Sequence, residues 1–475
     1  FLCFFLLYVI NSEHKSYFMT RILILGGGFA GTECCLQLES YFQNDSDVEI
    51  VLVSEDNFVL FTPMLPQVAS GTIETRHIVT PIRTLIKKTK FYEDKIKTID
   101  PQQKIVSLYG THEKRGKRIH YDYLVVALGS KPNFFGMKDV EQNAYTMTTI
   151  NDAILLRNRI IDLMEQAENE TDPILRKNLL HVAVVGGGFA GVETAGEIND
   201  FIADIAEYYP TINRHNVKIS LIEATPKILI GFSPKLAAFA KNKLVDRGIT
   251  IFLNAAVTSY DGKELTLKST SKSNTILVTN SDHKHPNYDV QKIDSLDSNT
   301  VIWTAGIGTN EILRDSLFPT PKGRIHVNEF LQIPEFPDVF AIGDCAVIDP
   351  EIIKKKFPPT AQVAEAHAKT AAHNLMRLLG GQEMTSFDYS WKGQSAIIGK
   401  RTGIASFFGI HVSGFLAFTL WRNLYLSKIR GWDKRLRIWI DWNLDLFFKR
   451  DISRLKTMKK TSSDFKELDE VDDVW

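Results

Sequence analysis

Four cysteines among 475 residues are too few for a disulfide framework, and their placement excludes more. Cys3, Cys34, Cys35 and Cys345 form no C-x-x-C metal pair and no C-x-x-x-x-C redox pair. Cys34 and Cys35 are neighbours in a segment that reads as helix, where their side chains diverge, so both are expected to be small buried hydrophobes. An excess of one charge is also missing: 56 basic residues balance 56 acidic ones, which leaves no global electrostatic attraction for nucleic acid. Long uncharged runs are absent too. The opening FLCFFLLYVI is too short to span a bilayer and has no basic region before it, as a signal peptide would. Met19 directly precedes the first apolar strand, so residues 1–18 are read as upstream read-through, a fragment or a clipped anchor. There is no catalytic triad and no metal-ligand cluster.

What the chain does have is a motif written twice. Arg21 to Cys34, RILILGGGFAGTEC, is nearly repeated at His181 to Ile198, HVAVVGGGFAGVETAGEI. In each copy an apolar strand feeds a Gly-x-Gly-x-x-Gly turn and then a helix. Gly26 and Gly186 permit the tight turn, Gly28 and Gly188 let backbone approach a pyrophosphate, and Gly31 and Gly191 let helix pack on strand. The phosphates then meet the free N–H groups of the helix start. A glycine-rich turn without a ligand is a serious rival for one copy, but two copies, each behind an apolar run, predict two dinucleotides.

The length exceeds one ordinary core, and 44% hydrophobic with 24% charged residues describes a globular protein of two or three domains. The expected fold class is α/β, with two Rossmann-like dinucleotide-binding domains and a C-terminal amphipathic helical region. VEIVLVSE supplies the second strand of the first unit and ends in Glu55, about 20 residues beyond the glycines, where a carboxylate meets ribose hydroxyls. VKISLIEA does the same for the second unit and ends in Glu223, which repels a 2′-phosphate and so selects NAD over NADP.

Between these, NFVLFTPMLPQVASGTIE is an apolar run broken by Pro63 and Pro66, and the segment from Pro81 reads as a helix ending in lysines. YDYLVVALGSKPN closes the first half, residues 150–178 read as one polar-faced helix, and 258–300 reads as a polar hairpin or insertion. TVIWTAGI and DVFAIGDCAV are further strands ending in turns, the second carrying Gly343 and Asp344. Pro358 and Pro359 are read as the first turn of an alanine-rich helix whose N-terminus could stabilise negative charge. His367 and His373, six apart, are read as ordinary polar positions there.

The last quarter changes character. VSGFLAFTLWRNLYLSKIRG and WDKRLRIWIDWNLDLFFKR place Leu436, Trp439, Ile440, Leu444 and Phe447 at helical spacing, with an excess of basic residues nearby. Tryptophans with basic neighbours suit a headgroup interface, and a covered core or a dimer interface is the blander reading. The acidic tail after Thr461 is expected to be disordered.

The order of these motifs resembles that of the type II NADH:quinone dehydrogenases, monotopic flavoenzymes of the two-dinucleotide-binding-domain flavoprotein superfamily. The motifs are first fingerprint, FTPML, ALGS, second fingerprint, WTAG, IGD, PPTAQ and a Trp-rich basic C-terminus, over about residues 20–450. The resemblance implies FAD on Gly26, Gly28, Gly31, Glu55 and Asp344, with Pro63 in the flavin-side loop, and Gly129, Gly343 and Ala361 in the matching ALGS, IGD and PPTAQ motifs. It implies NADH on Gly186, Gly188, Gly191 and Glu223, with Gly306 in WTAG and Glu193 on the nicotinamide side. Gln362 and Lys392 fall near the flavin and quinone. The family pattern Ala-Gln-x-Ala-x-Gln here ends in Ala366.

The implied domains are 19–140 with 300–385 for FAD, 141–299 for NAD, 386–460 for membrane association and 461–475 as an acidic tail. The implied activity is hydride transfer from NADH to FAD and electron delivery to a membrane quinone without proton pumping. The implied place is peripheral, on the cytoplasmic face of the cell membrane, as monomer or homodimer. Rivals are a sulfide:quinone oxidoreductase or disulfide reductase, which need the missing cysteine pair, a soluble reductase serving a small electron carrier, and a non-catalytic NAD/FAD sensor.

Overall fold

The computed structural model describes residues 19–110, 115–279, 289–291, 293–320, 323–349, 357–454 and 471–474. Residues 1–18, with Cys3, lie outside this set. Two sheets are built from the two repeated units. In the first, the strands run in the order Gln332–Ile333, Phe336–Ala341, Tyr123–Val126, Thr20–Leu25, Val48–Ser54, Lys90–Glu93, all parallel from Phe336–Ala341 onward. In the second the order is Tyr145–Thr146, Thr300–Trp303, His181–Val185, Lys218–Glu223, Ile249–Leu253, with Ile276–Thr279 and Asp289–Gln291 added antiparallel. Such strands are covered on both faces, hence the unbroken ILIL and VAVV runs. Ile22, Leu23, Ile24 and Leu25 have no exposed surface, and burial of each stabilises by about 1.5–3 kcal/mol.

The chain crosses between units through Lys131–Pro132, paired antiparallel with Ile307–Gly308. Because Thr300–Trp303 pairs with His181–Val185, the return crossing comes at Ile307 and not at residue 300.

Three segments depart from expectation. The stretch after Pro81 makes only a 3-10 turn, Ile82–Thr84, before the strand Lys90–Glu93. There the Glu39 carboxylate takes the backbone N–H groups of Lys87, Lys88 and Thr89, which a helix would need for itself. The expected helix over 150–178 is two helices, Ile150–Asn169 and Pro173–Leu179. Pro173 forces Asp172 out of helical geometry, and the Asp172 side chain then caps the second helix. The polar stretch from 258 forms antiparallel strands, Ala255–Tyr260 with Glu264–Ser269 and the latter with Ser295–Asp297; 280–288 and 292 lie outside the described residues.

After the long helix Ala361–Leu379 a three-stranded antiparallel sheet, Gln394–Ile397, Gly403–Phe407 and Ile410–Gly414, leads into two helices, Phe415–Lys428 and Trp432–Leu444. In the acidic tail, Val471–Val474 pairs with Gly116–Ile119, which corrects the expectation of a tail without structure.

Candidate functional site: two dinucleotide cradles joined by one strand

The two glycine turns are built alike. Gly26 and Gly186 hold φ of 107° and 111°, open only to glycine, and each N–H closes onto the neighbouring strand at 2.8 Å, to Val53 and Ile222 respectively. A Cβ on Gly31 would lie 1.8 Å from the Gly26 carbonyl oxygen, and one on Gly191 would lie 1.8 Å from that of Gly186. Around Gly28 and Gly188 a Cβ would meet nothing within 4 Å, so both turns present bare backbone at a helix start. An open cradle of this shape fits a pyrophosphate.

The strand-end acids differ. Glu223 is fixed, one oxygen accepting from the Gly187 N–H at 2.6 Å and the other from the Thr225 N–H at 2.7 Å, with lone pairs left for ribose hydroxyls. Glu55 lies one residue past the end of its strand and is exposed.

The late motifs return to the first cradle. Ser130, next to Gly129, donates to the Asp344 carboxylate at 3.4 Å, while burial pushes that carboxyl above its ordinary range. Gly129, at φ 63°, has open space beside it. The Gly343 N–H donates to Nδ1 of His367 at 3.3 Å. His367 is therefore not an ordinary polar position: it is buried, and burial brings its pKa down to about 4, so it stays a neutral acceptor. Half-buried Ala361 opens the helix, capped by Thr360, so Pro358 and Pro359 precede the first turn instead of forming it. Pro63 is half-buried in the turn Thr62–Met64, and nearby Phe61 packs edge-on against Phe29 at 5.7 Å, just past Gly28. Gly306 lies at the crossing, at φ 80°, where a Cβ would meet the Phe135 ring at 2.7 Å.

One short stretch joins the two units. Gln362, on the helix that covers the first cradle, donates from Nε2 to the Gly393 carbonyl at 3.2 Å and accepts from the Tyr389 hydroxyl at 2.9 Å. Four residues on, the Ile397 N–H donates to Glu193 at 3.0 Å. Glu193 is buried, and desolvation pushes its pKa up to about 8 against that hydrogen bond, with the Glu197 charge adding to the rise. It therefore carries a proton at neutral pH. Lys392, in the same stretch, has an exposed side chain.

The C-terminal segment is fastened to both units. Arg430 pairs with Glu33 at 2.6 Å, Asp441 with His77 at 2.5 Å, and the Trp442 indole donates to Gln67 at 3.0 Å. Buried Arg450 lies 3.5 Å from Glu197, on the second cradle's helix, and 3.1 Å from Asp445. Outward, the segment shows Phe408, Trp432 and Phe447 at 86%, 77% and 82% exposure, with Phe415, Leu416, Trp439 and Phe448 also exposed. Among the described residues no helix is long and apolar enough to cross a membrane, and no cluster of acids, histidines and cysteines could hold a metal. Cys34, Cys35 and Cys345 are buried and unpaired, and burial raises the pKa of Cys345 to about 11, so it stays a thiol.

Tyr389, His367, Glu197 and Arg450 were not foreseen. Only Tyr389 had a local signal, the alternating aromatics of SFDYSW.

Two open dinucleotide cradles on paired parallel sheets, with late strands returning to the first, define a pyridine-nucleotide flavoprotein oxidoreductase. Residues 20–368 match the pyridine nucleotide-disulphide oxidoreductase family, and residues 391–451 match the NDH2 C-terminal domain. The chain is 31% identical over 441 residues to a probable NADH dehydrogenase of Dictyostelium discoideum, covering 91% of each. It is 30% identical over 447 residues to the type II NADH:quinone oxidoreductase Ndh of Mycobacterium tuberculosis, covering 90% of this chain and 89% of the relative. NDH2 from Plasmodium falciparum, solved in complex with NADH, shares the fold with a TM-score of 0.80 at 24% identity over 92% of this chain and 100% of that one. The chain belongs to the type II NADH dehydrogenase family within the pyridine nucleotide-disulphide oxidoreductase superfamily.

Proposed function

We propose that the protein is an NADH:quinone oxidoreductase that takes hydride from NADH and delivers electrons to a quinone at a membrane surface. The observation that carries this reading is the pair of open cradles meeting at the Gly393–Ile397 stretch, beside an exposed apolar face. FAD would be held by Gly26, Gly28, Gly31, Glu55, Gly129, Gly343 and Asp344, with Pro63 and Ala361 at its edges, and when bound supplies the hydride-accepting and electron-donating chemistry. Gly186, Gly188, Gly191, Gly306 and Glu223 hold NADH.

The residues divide the remaining work. Glu223 is pinned as an acceptor, so it binds the two ribose hydroxyls of NADH and repels a 2′-phosphate. Turning NADH and a quinone into NAD⁺ and a quinol consumes one further proton. Glu193, protonated at neutral pH, holds one between the units. Gln362 is the polar contact at the flavin and quinone side, with Lys392 nearby on the surface.

The exposed aromatics and the basic residues around them support a peripheral seat on a membrane face that meets NADH, the cytoplasmic one for a cell membrane. The purified protein is expected to be yellow, to bleach anaerobically with NADH faster than with NADPH, and to recover colour with a soluble quinone. Bleaching by sulfide with NADH inert would overturn the assignment. Replacing Trp432, Trp439 and Phe447 with serine should release the protein from liposomes while bleaching persists; retained binding with loss of dimers would assign that face to a homodimer.

A further inference from the structure

A glutamine side chain has one end that only accepts and one that only donates, so its use depends on which way it faces. At Gln362 the choice is made by two neighbours. The Gly393 carbonyl can only accept, which fixes Nε2 toward it at 3.2 Å. Oε1 then faces the Tyr389 hydroxyl at 2.9 Å, and the phenol must donate. A phenol has a single proton, and Gln362 Oε1 is the acceptor it meets. The phenol ring is held independently, edge-on to Phe357 at 5.9 Å and to Trp391 at 6.4 Å.

The rest of the helix start offers no substitute. Glu365 is engaged by Lys428 at 3.2 Å, and Ala366 carries no polar group. Gln362 is thus the only carboxamide in the helix's first two turns, with one N–H and one lone pair unspent.

We propose that Tyr389 is a positioning residue for the acceptor side: its hydroxyl locks the Gln362 carboxamide in one orientation, so that the free Nε2–H donates to a quinone carbonyl oxygen. This rests on the quinone reading above. Without the hydroxyl the amide keeps only the Gly393 anchor, and the direction of its free Nε2–H is no longer held from the other end.

The test is Tyr389→Phe, which removes one oxygen and keeps the ring in its aromatic packing. Three quantities are measured on the flavin-loaded protein: the anaerobic rate of bleaching by NADH, the KM and kcat for a short-chain ubiquinone, and the Kd of that quinone from quenching of tryptophan fluorescence. Losing one oriented hydrogen bond should raise quinone KM and Kd about 5–10-fold. Bleaching by NADH should stay within about twofold of wild type, because the second cradle is untouched. In a Gln362→Ala background the same change should add less than about twofold, since the two side chains act as one unit. Unchanged quinone KM and Kd in Tyr389→Phe, additive losses in the double variant, or an equal slowing of bleaching would each overturn the proposal. A wild type that bleaches with NADH yet is not reoxidised by quinone removes the parent reading and this proposal together. Wild-type turnover with an indifferent Tyr389→Phe removes this proposal alone.

Discussion

Glu33 and Glu193 stand at the same place in the two glycine motifs, two residues beyond the third glycine, and have opposite surroundings. Glu33 meets the guanidinium of Arg430 at 2.6 Å and the ammonium of Lys369 at 3.8 Å. Glu193 has no cation near it among its strongest influences; a backbone N–H and the Glu197 charge act on it in a desolvated space beside the stacked rings of Trp421 and Tyr425. One carboxylate fastens the C-terminal segment to the first unit, and the other keeps a proton between the units. The same local sequence therefore sets the backbone, and what packs on it from far away sets the chemistry.

Breaking the turns themselves should separate the two cradles most sharply. Gly31→Ala drives a methyl into the Gly26 carbonyl, and Gly191→Ala does the same at Gly186. The first should give a colourless protein by absorbance, and the second a yellow protein whose bleaching by NADH falls to background. A yellow Gly31→Ala would mean that the first cradle does not hold the flavin.

The two glutamates then test the contrast directly. Burial lifts the Glu193 carboxyl to about 8 in the folded chain, from an ordinary 4.5. Below pH 4.5 both folded and unfolded chains hold the proton and nothing is lost. As pH rises from 4.5 towards 8 the unfolded chain releases its proton while the folded one retains it, so stability declines across that window. Glu193→Gln has no such slope and should gain on wild type by up to about 4 kcal/mol at pH 8, read as a shift in urea midpoint. Parallel stability–pH curves for the two proteins would place the Glu193 carboxyl in water. Glu33→Gln should cost only on the order of 1 kcal/mol, the scale of a partly exposed pair.

The backbone of both units was legible because its signals are local: a period of residue types along each strand, then glycines at fixed offsets. The two amphipathic C-terminal helices were legible for the same reason. The break at Pro173 could have been read from the proline alone. The lost helix after Pro81 could not, since it depends on Glu39 reaching across to Lys87–Thr89, on the order of 50 residues on. Arg430 finds Glu33 across 397 residues and Trp442 finds Gln67 across 375, and nothing near either end announces the partner. His367 looked ordinary because its role is a hydrogen bond from Gly343, which only the packed helix brings within reach.

Arg430 and Arg450 lie at either end of the Trp432–Leu444 helix, and each is locked to the helix that follows a different glycine turn. The helix that exposes Trp432 and Trp439 is thereby also a splint across the joint. The gap a hydride must cross is held from outside as well as by the paired strands at Lys131 and Ile307. Cutting the chain between the two arginines would leave the nucleotide unit free to swing against the flavin unit.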